Sequence, residues 1–288
     1  MEKEILPSEL PVNTDGAIYH LNLHYEDIAD NVILVGDPAR VELLSSMFDT
    51  VELRKKNREL ITHTGIYCGK RISVISTGMG TDNIDIVVNE LDAVANIDLS
   101  TRKPRPEHRK LNIVRIGTSG ALQPDVEVGE FVASAWGLGI DGVMQFYDYD
   151  HLSNEAFVKA FVEHTGWNER LSYPYCIPAS QKLLSKIAFD MRQGVTASAP
   201  GFYGPQGREV RAKLMFPDLI RKIESFQYEE LRITNMEMEC SAIFGLGTML
   251  GHEPLTVCLI IANRLTGSFL NNYQDRMKIL CKTVLDRI

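Results

Sequence analysis

Along this chain, short runs of consecutive apolar residues alternate with stretches whose apolar residues recur every three or four positions. Residues 31–35 (NVILV), 71–76 (RISVIS), the start of 114–124 (VRIGTSGALQP), 130–135, 194–198 (GVTAS), 233–239 and 254–262 read as strands. Residues 41–48, 83–95, 154–164, 181–190, 240–250 and 274–288 read as helices. In 83–95 the side chains of Ile84, Val87, Val88, Leu91 and Val94 fall on one face. Strands alternating with helices predict an α/β fold: a single domain over residues 1–288, with a mixed central sheet flanked by helices and an irregular lead over residues 1–18. Residues 54–60 (RKKNREL) read as a charged connection and 99–110 as a polar surface excursion. Between 139 and 178 the periodicity weakens.

Three of the strands break into glycine turns. They are Gly36-Asp37-Pro38-Ala39-Arg40, Thr77-Gly78-Met79-Gly80 and Gly117-Thr118-Ser119-Gly120. Glycines let backbone N–H groups approach a ligand without Cβ atoms in the way, and a helix N-terminus after such a turn suits an anion. Arg115 stands two residues before Gly117 and offers a planar fork of donors for an oxyanion. Any α/β protein needs turns of this kind, so each one alone serves a chain reversal as well as it serves a phosphate.

Composition narrows the choice of partners. The chain has 288 residues, 44% hydrophobic and 24% charged, which is enough for a sizeable core. A formal net charge of −8 disfavours a nucleic-acid binder, because neutralising a phosphate backbone needs a basic surface. Five scattered cysteines without CxxC spacing fit reduced thiols better than a disulfide frame or a zinc site. His20 and His24 have no third ligand in the pattern around them, so a metal site is not expected there. No apolar leader or run of about 20 apolar residues is present, which predicts a cytoplasmic protein with no membrane span.

Seven motifs in order carry a resemblance to a family. They are VGDPARV (35–41), NREL (57–60), STGMG (76–80), RIGTSGALQP (115–124), VGEFV (128–132), GFYGPQGR (201–208) and NMEMEC (235–240). Together they resemble the uridine-cleaving branch of the nucleoside phosphorylases, from about Tyr19 to the C-terminal helix. The resemblance implies phosphorolysis of uridine, and of related pyrimidine nucleosides, to uracil and ribose 1-phosphate in pyrimidine salvage. Phosphate is then a co-substrate and no cofactor is needed.

The same resemblance assigns roles. Gly36, Arg40, Arg58, Arg115 and Thr118 would hold phosphate. His20, Met238 and Glu239 would hold ribose, with Glu239 accepting from the 2′- and 3′-hydroxyls. Phe202, Gln206, Arg208 and Arg264 would meet the base, Phe202 by stacking and Gln206 with Arg208 from an extended loop. Arg115, Arg208 and Glu239 would be the catalytic set. His20 and Arg58 would come from a neighbouring subunit, which makes a homodimer the minimal active unit, alone or within a hexamer. Purine-cleaving relatives carry Ser-Asp after the late strand, where the aspartic acid protonates purine N7; here Asn263-Arg264 stands at that place. STGMG continues as Thr81-Asp82-Asn83 where glycine-proline-serine is commoner, which leaves a monovalent-cation site near Glu59 and Asn83 open. A purine nucleoside phosphorylase or nucleosidase, or a non-catalytic nucleoside-binding protein, are the competing readings.

Overall fold

The computed structural model describes residues 5–288. Its strands are β1 (Asn31–Val35), β2 (Thr50–Asn57), β3 (Leu60–Tyr67), β4 (Lys70–Ser76), β5 (Ile97–Asp98), β6 (Lys103–Pro104) and β7 (Asn112–Ala121). They continue with β8 (Phe131–Gly139), β9 (Tyr175–Pro178), β10 (Arg192–Ser198), β11 (Gln227–Tyr228), β12 (Leu231–Glu237), β13 (Glu253–Asn263) and β14 (Ser268–Phe269). The helices are α1 (Pro38–Ser45), α2 (Thr81–Asn96), α3 (Glu155–Thr165), α4 (Gln181–Ile187), α5 (Leu219–Ser225), α6 (Cys240–Met249) and α7 (Gln274–Arg287).

Strand order in the main sheet is β11-β12-β10-β8-β13-β7-β1-β4-β3-β2; β13, β7, β1 and β4 run parallel, β8 is antiparallel to β13, and the pairs toward the β2 end are antiparallel. The expected mixed α/β sheet is therefore present, and it goes further than an open sheet. The end of β12 also pairs with the end of β7, Asn235 with Ala121 and Met236 with Gly120. That contact closes β7, β13, β8, β10 and β12 into a ring. Long strands bend far enough to close because the register slips at Ile260/Ala262, Gly194/Val195 and Val195/Thr196, and such bulges add local twist and bend. The closure brings the end of β7 beside the end of β12.

Several element boundaries differ from the sequence reading for identifiable reasons. Helix α1 starts at Pro38, three residues early, because the Asp37 carboxylate accepts from the Ala39 N–H at 2.9 Å and Pro38 needs no partner at the first helical position. Residues 54–57 are not a connection but the end of β2, an edge strand whose exposure alternates along Thr50–Asn57. Charged residues on an edge strand discourage pairing with another chain, and here they also disguised the strand. The reversal follows at Arg58, in the left-handed region with φ 54°. Residues 117–120, expected as a glycine turn, instead continue β7 to Ala121, because β13 stays paired with them along their whole length. Strand β9 and helix α5 had no counterpart in the expectations. Helix α4 ends at Ile187, and the 99–110 excursion carries a two-residue strand that pairs β6 with β5.

Two large apolar clusters and a small third one of Ala121, Val126, Val132 and Ile260 lie among the described residues. The largest lies around β1, β4, β7, α2, α6 and α7; the second packs Phe157 and Phe161 of α3 against Phe226, Val195 and Ile233. Helix α7 shows the expected amphipathic period, with Leu280 fully buried next to the half-exposed Ile279. Leu280→Ala should lower the unfolding free energy by about 2–5 kcal/mol, and Ile279→Ala by no more than about 0.5 kcal/mol. Urea denaturation of the two variants checks this, and equal losses would contradict the orientation of α7.

Candidate active site

The carboxyl ends of β1, β4, β7 and β13 open on one side of the sheet, where ligands of α/β proteins are generally held. A cavity of about 900 Å³ lies there. The turn after β1 lines it with Gly36 and Arg40, the turn after β4 with Gly78 and Met79, and the end of β7 with Arg115, Thr118 and Ser119. The β12–α6 junction supplies Met236 to Glu239, the loop after β10 supplies Phe202, Gln206 and Arg208, and β13 with its hairpin supplies Asn263, Arg264 and Phe269.

At one end, buried cations face buried carboxylates. Arg40 is held by its Nη1 donating to the Ile116 carbonyl at 3.2 Å. Arg115 is buried between two glutamates: Nη2 donates to Glu239 Oε2, and Nη1 lies 3.1 Å from Glu237 Oε2. The side chain can lie back along its own strand because residue 117 is glycine; a Cβ there would overlap the guanidinium. Burial works against the Arg115 charge, but Glu239 and Glu237 together outweigh it and raise its pKa. Burial also pushes the Glu239 carboxyl up from its usual range, against the pull of Arg115.

Glu237 holds the floor of this end. Its carboxylate accepts from the backbone N–H groups of Glu239 (2.9 Å) and Cys240 (3.0 Å) at the start of α6, and from Ser198 Oγ at 2.6 Å. Glu239 Oε1 accepts from the Gly80 N–H at 2.7 Å, which ties the β4–α2 turn to the β12–α6 junction. Met238, half-buried, lines the cavity between the two glutamates.

The other end is organised by a single turn. The loop expected to be extended instead forms a 3-10 turn, Gly204–Gln206, closed by Gly207 at φ 68° and by the Arg208 N–H donating to Tyr203 O at 2.8 Å. This turn folds Gln206 and Arg208 together: Arg208 Nη1 donates to Gln206 Oε1 at 2.6 Å and to the Phe202 carbonyl. The Arg208 guanidinium lies 3.8 Å from the Phe202 ring centre, a cation–π stack. Arg264 reaches across from β13 and donates to the Gln206 carbonyl. Burial, then the nearby Arg264 charge, lower Arg208 to about 10; burial lowers Arg264 as well.

Asn263 lines the cavity but has no hydrogen-bonding capacity left. Its amide N–H groups donate to the carbonyls of Gln123 and Val126 at 2.9 Å each. Its oxygen accepts from the N–H groups of Leu265 (3.0 Å) and Thr266 (3.3 Å).

Ten of the residues singled out from sequence thus line one cavity: Gly36, Arg40, Arg115, Thr118, Phe202, Gln206, Arg208, Met238, Glu239 and Arg264. His20 and Arg58 do not. His20 Nδ1 is 2.6 Å from Glu90 Oε1, and Arg58 sits at the β2–β3 turn, 5.9 Å from the Tyr19 ring centre. Asn57 Nδ2 donates to the carbonyl of His20 at 2.8 Å, so both residues belong to one surface feature outside the cavity of their own chain.

The sequence reading also missed contributors. Met79 and Ser119 lie inside motifs that were noticed for other residues, whereas Ser268 and Phe269 enter only because β14 folds back on β13. Glu59, considered for a cation, lines the cavity. Asn83, considered for a cation, donates to the Thr77 carbonyl at 2.9 Å and so braces the glycine turn. One grouping, Asp92, His108 and His252, brings three metal-type ligands together among the described residues. The Leu111 N–H donates to His252 Nδ1, so the ring proton sits on Nε2, which faces Asp92 at 3.3 Å and has no lone pair to give a metal.

Comparison with known proteins follows the same lines as the cavity. The profile of the phosphorylase superfamily matches residues 30–286. A uridine phosphorylase of Thermococcus kodakarensis is 30% identical over 272 residues, covering 93% of this chain and 86% of that one. A purine nucleoside phosphorylase of Tolumonas auensis is 26% identical over 275 residues, covering 92% and 98%. Among solved structures, a Trypanosoma brucei nucleoside phosphorylase described as showing uridine phosphorylase activity superposes with a TM-score of 0.87 at 29% identity, covering 96% of this chain and 98% of that one. With nearly its whole length matched, this chain is a member of the phosphorylase superfamily.

Proposed function

We propose that the chain catalyses phosphorolysis of uridine, with inorganic phosphate attacking C1′ to give ribose 1-phosphate and uracil. One observation carries the reading: a single cavity holds two buried arginines beside glycine turns at one end and a Gln206–Arg208–Arg264 cluster at the other, with Glu239 at the anionic end. The spacing suits a nucleoside laid across the cavity with phosphate beneath its sugar. The similarity to uridine phosphorylases supports the same substrate class.

In this mechanism a phosphate oxygen forms the new bond to C1′ while the C1′–N1 electron pair leaves with the base. Positive charge develops on the sugar and negative charge spreads over N1, O2 and O4 of the uracil. Arg40, Arg115, Thr118 and the Gly36 turn position the phosphate dianion. Glu239 takes the ribose 2′- and 3′-hydroxyls, and Met238 lies against the sugar. Gln206, which both donates and accepts, matches the N3–H and carbonyl edge of uracil; Arg208 meets the oxygen on which charge grows. Uracil takes its proton from solvent after departure. The reaction as written needs neither a cofactor nor a covalent enzyme intermediate.

The relation to purine nucleoside phosphorylases raises the purine reading. Protonating purine N7 requires an acid near the end of β13, and the Asn263 amide is committed in all four of its bonds. Arg264, beside it, is no proton donor at neutral pH. Pyrimidines therefore fit this end better.

His20 and Arg58 are proposed to complete a neighbouring subunit's site, which makes a symmetric dimer the active unit. Arg58 at the β2–β3 turn and His20, whose carbonyl Asn57 of β2 holds, both lie away from the cavity of their own chain, which supports that reading.

Three outcomes test the proposal. Uracil release from uridine should depend on phosphate and yield ribose 1-phosphate, with inosine a poor substrate; equal release in phosphate-free buffer would make the protein a hydrolase. Gln206→Ala should weaken uridine use by roughly one to two orders of magnitude, the scale of ~1–3 kcal/mol for a buried polar group left unpaired, with the phosphate KM nearly unchanged. Arg115→Ala should do the reverse, and Arg208→Ala should lower kcat as well as binding; initial rates against each substrate in turn separate the three. Lastly, mixing inactive Arg58→Ala with inactive Arg115→Ala protein should restore activity when subunits exchange, whereas a fully active monomer contradicts a shared site.

A further inference from the structure

Behind the turn that carries Gln206 lies a second cavity, of about 400 Å³, which the reaction above does not use. Gly204, Pro205 and Gly207 form one of its walls, so this turn separates the two cavities: Gln206 faces the larger, and the residues on either side of it face the smaller. The opposite walls are apolar. They come from Trp167, from Leu214 and Phe216 in the stretch before α5, and from Ile220 on α5. Met215, largely exposed at the edge, adds a flexible thioether that adapts to varied ligand shapes.

Charge at this cavity is one-sided. Its one acidic lining residue, Asp141, is already saturated: its carboxylate accepts from Tyr175 Oη at 2.8 Å, Ser241 Oγ at 2.8 Å and the Val143 N–H at 2.8 Å. Lys213 is paired with Glu209 at 2.7 Å. Arg170 is exposed at the edge, and its guanidinium forms no ion pair with any described residue. An apolar space of this size beside one unpaired guanidinium suits a flat apolar body with one anionic head.

The cavity is also mechanically close to the larger one. The turn residue Gly207 packs so tightly on Ile220 that a Cβ at 207 would press into it. Leu214 reaches to within 3.9 Å of a Cβ position at Gly204. From the floor, Ser241 Oγ donates to Asp141, its backbone N–H donates to Ser198 Oγ at 2.9 Å, and Ser198 in turn donates to Glu237, the partner of Arg115.

We propose that this second cavity is a binding site for a small amphiphilic anion, a flat apolar body bearing one carboxylate or sulfonate, and that its occupant props the Gly204–Gln206 turn and so tunes how Gln206 and Arg208 meet the base. The site stands apart from the reaction; its effect on uridine rests on the function proposed above.

The probe is anilinonaphthalene sulfonate, titrated by calorimetry and fluorescence against the intact oligomer. One molecule should bind per chain. Arg170→Glu should weaken it roughly fivefold to tenfold, as expected for reversing one exposed charge. Leu214→Trp, which fills the cavity from the side away from the larger one, should abolish it, and Arg208→Ala in the larger cavity should leave it unchanged. Should Leu214→Trp fail to fold, Arg170→Glu still decides. The proposal of a site is overturned if the probe fails to bind, ignores Arg170→Glu, or follows Arg208→Ala, which would put it in the larger cavity. Binding needs no turnover, so these readings stand even where uracil release is absent. With turnover present, the bound probe should change the uridine KM at least threefold and leave the phosphate KM unchanged. An unchanged uridine KM overturns the coupling.

Discussion

A guanidinium buried between two carboxylates is the constraint around which this molecule is arranged. Arg115 comes from β7, Glu237 from the end of β12 and Glu239 from the junction of β12 with α6. None of the three could be left alone in so buried a place, since an unpaired buried ion costs several kcal/mol or neutralises. Their pairing therefore requires the end of β12 to lie against the end of β7. The pairs Asn235–Ala121 and Met236–Gly120 and the slips in β10 and β13 provide that closure. Glu239 extends the constraint to the Gly80 N–H, so one carboxylate registers two glycine-bearing turns against each other.

The two ends of the cavity solve different electrostatic problems. At one end, carboxylates hold Arg115 charged and raise its pKa, which makes it the fixed cation that the proposed phosphate dianion would meet. At the other end, Arg208 and Arg264 are partly buried close together, no carboxylate among the described residues is bonded to them, and burial lowers both. An arginine whose charge is poorly compensated gains most from a partner that becomes negative, and in the proposed reaction departing uracil is such a partner. That is differential stabilisation: the contact strengthens as the C1′–N1 bond breaks.

The parts of this architecture readable from sequence were those governed by local rules. Runs such as NVILV and RISVIS became β1 and β4, and the five apolar positions from Ile84 to Val94 became the buried face of α2. The cavity residues could be named because their motifs stand in family order, not because any one of them is unusual. What stayed hidden depends on contacts between distant segments. Closure of the ring is a pairing of residues more than a hundred positions apart, and β14 reaches the cavity only by folding back on β13. Residues 54–57 looked like a connection because charged side chains on an edge strand mimic loop composition. The Gln206–Arg208 pairing was anticipated, but from an extended loop. A 3-10 turn does it instead, because Gly207 can take positive φ and let the chain reverse between them.

That turn is also the least internally supported part of the site. Arg115 is fixed by two carboxylates at the end of β12 and its junction with α6, whereas Gln206 and Arg208 are fixed mainly by each other, by the Phe202 ring and by Arg264. In the proposed reaction a base entering the cavity competes for the same donors and acceptors, so these contacts would be exchanged for contacts with uracil at each turnover. What then keeps the backbone in place is its packing from behind, above all Gly207 against Ile220 of α5. Helix α5 had no signal in the sequence and holds no catalytic group. Yet it braces the one segment whose side chains must be free to change partners, and in a site built this way precision at the base depends on how well the space behind the turn is filled.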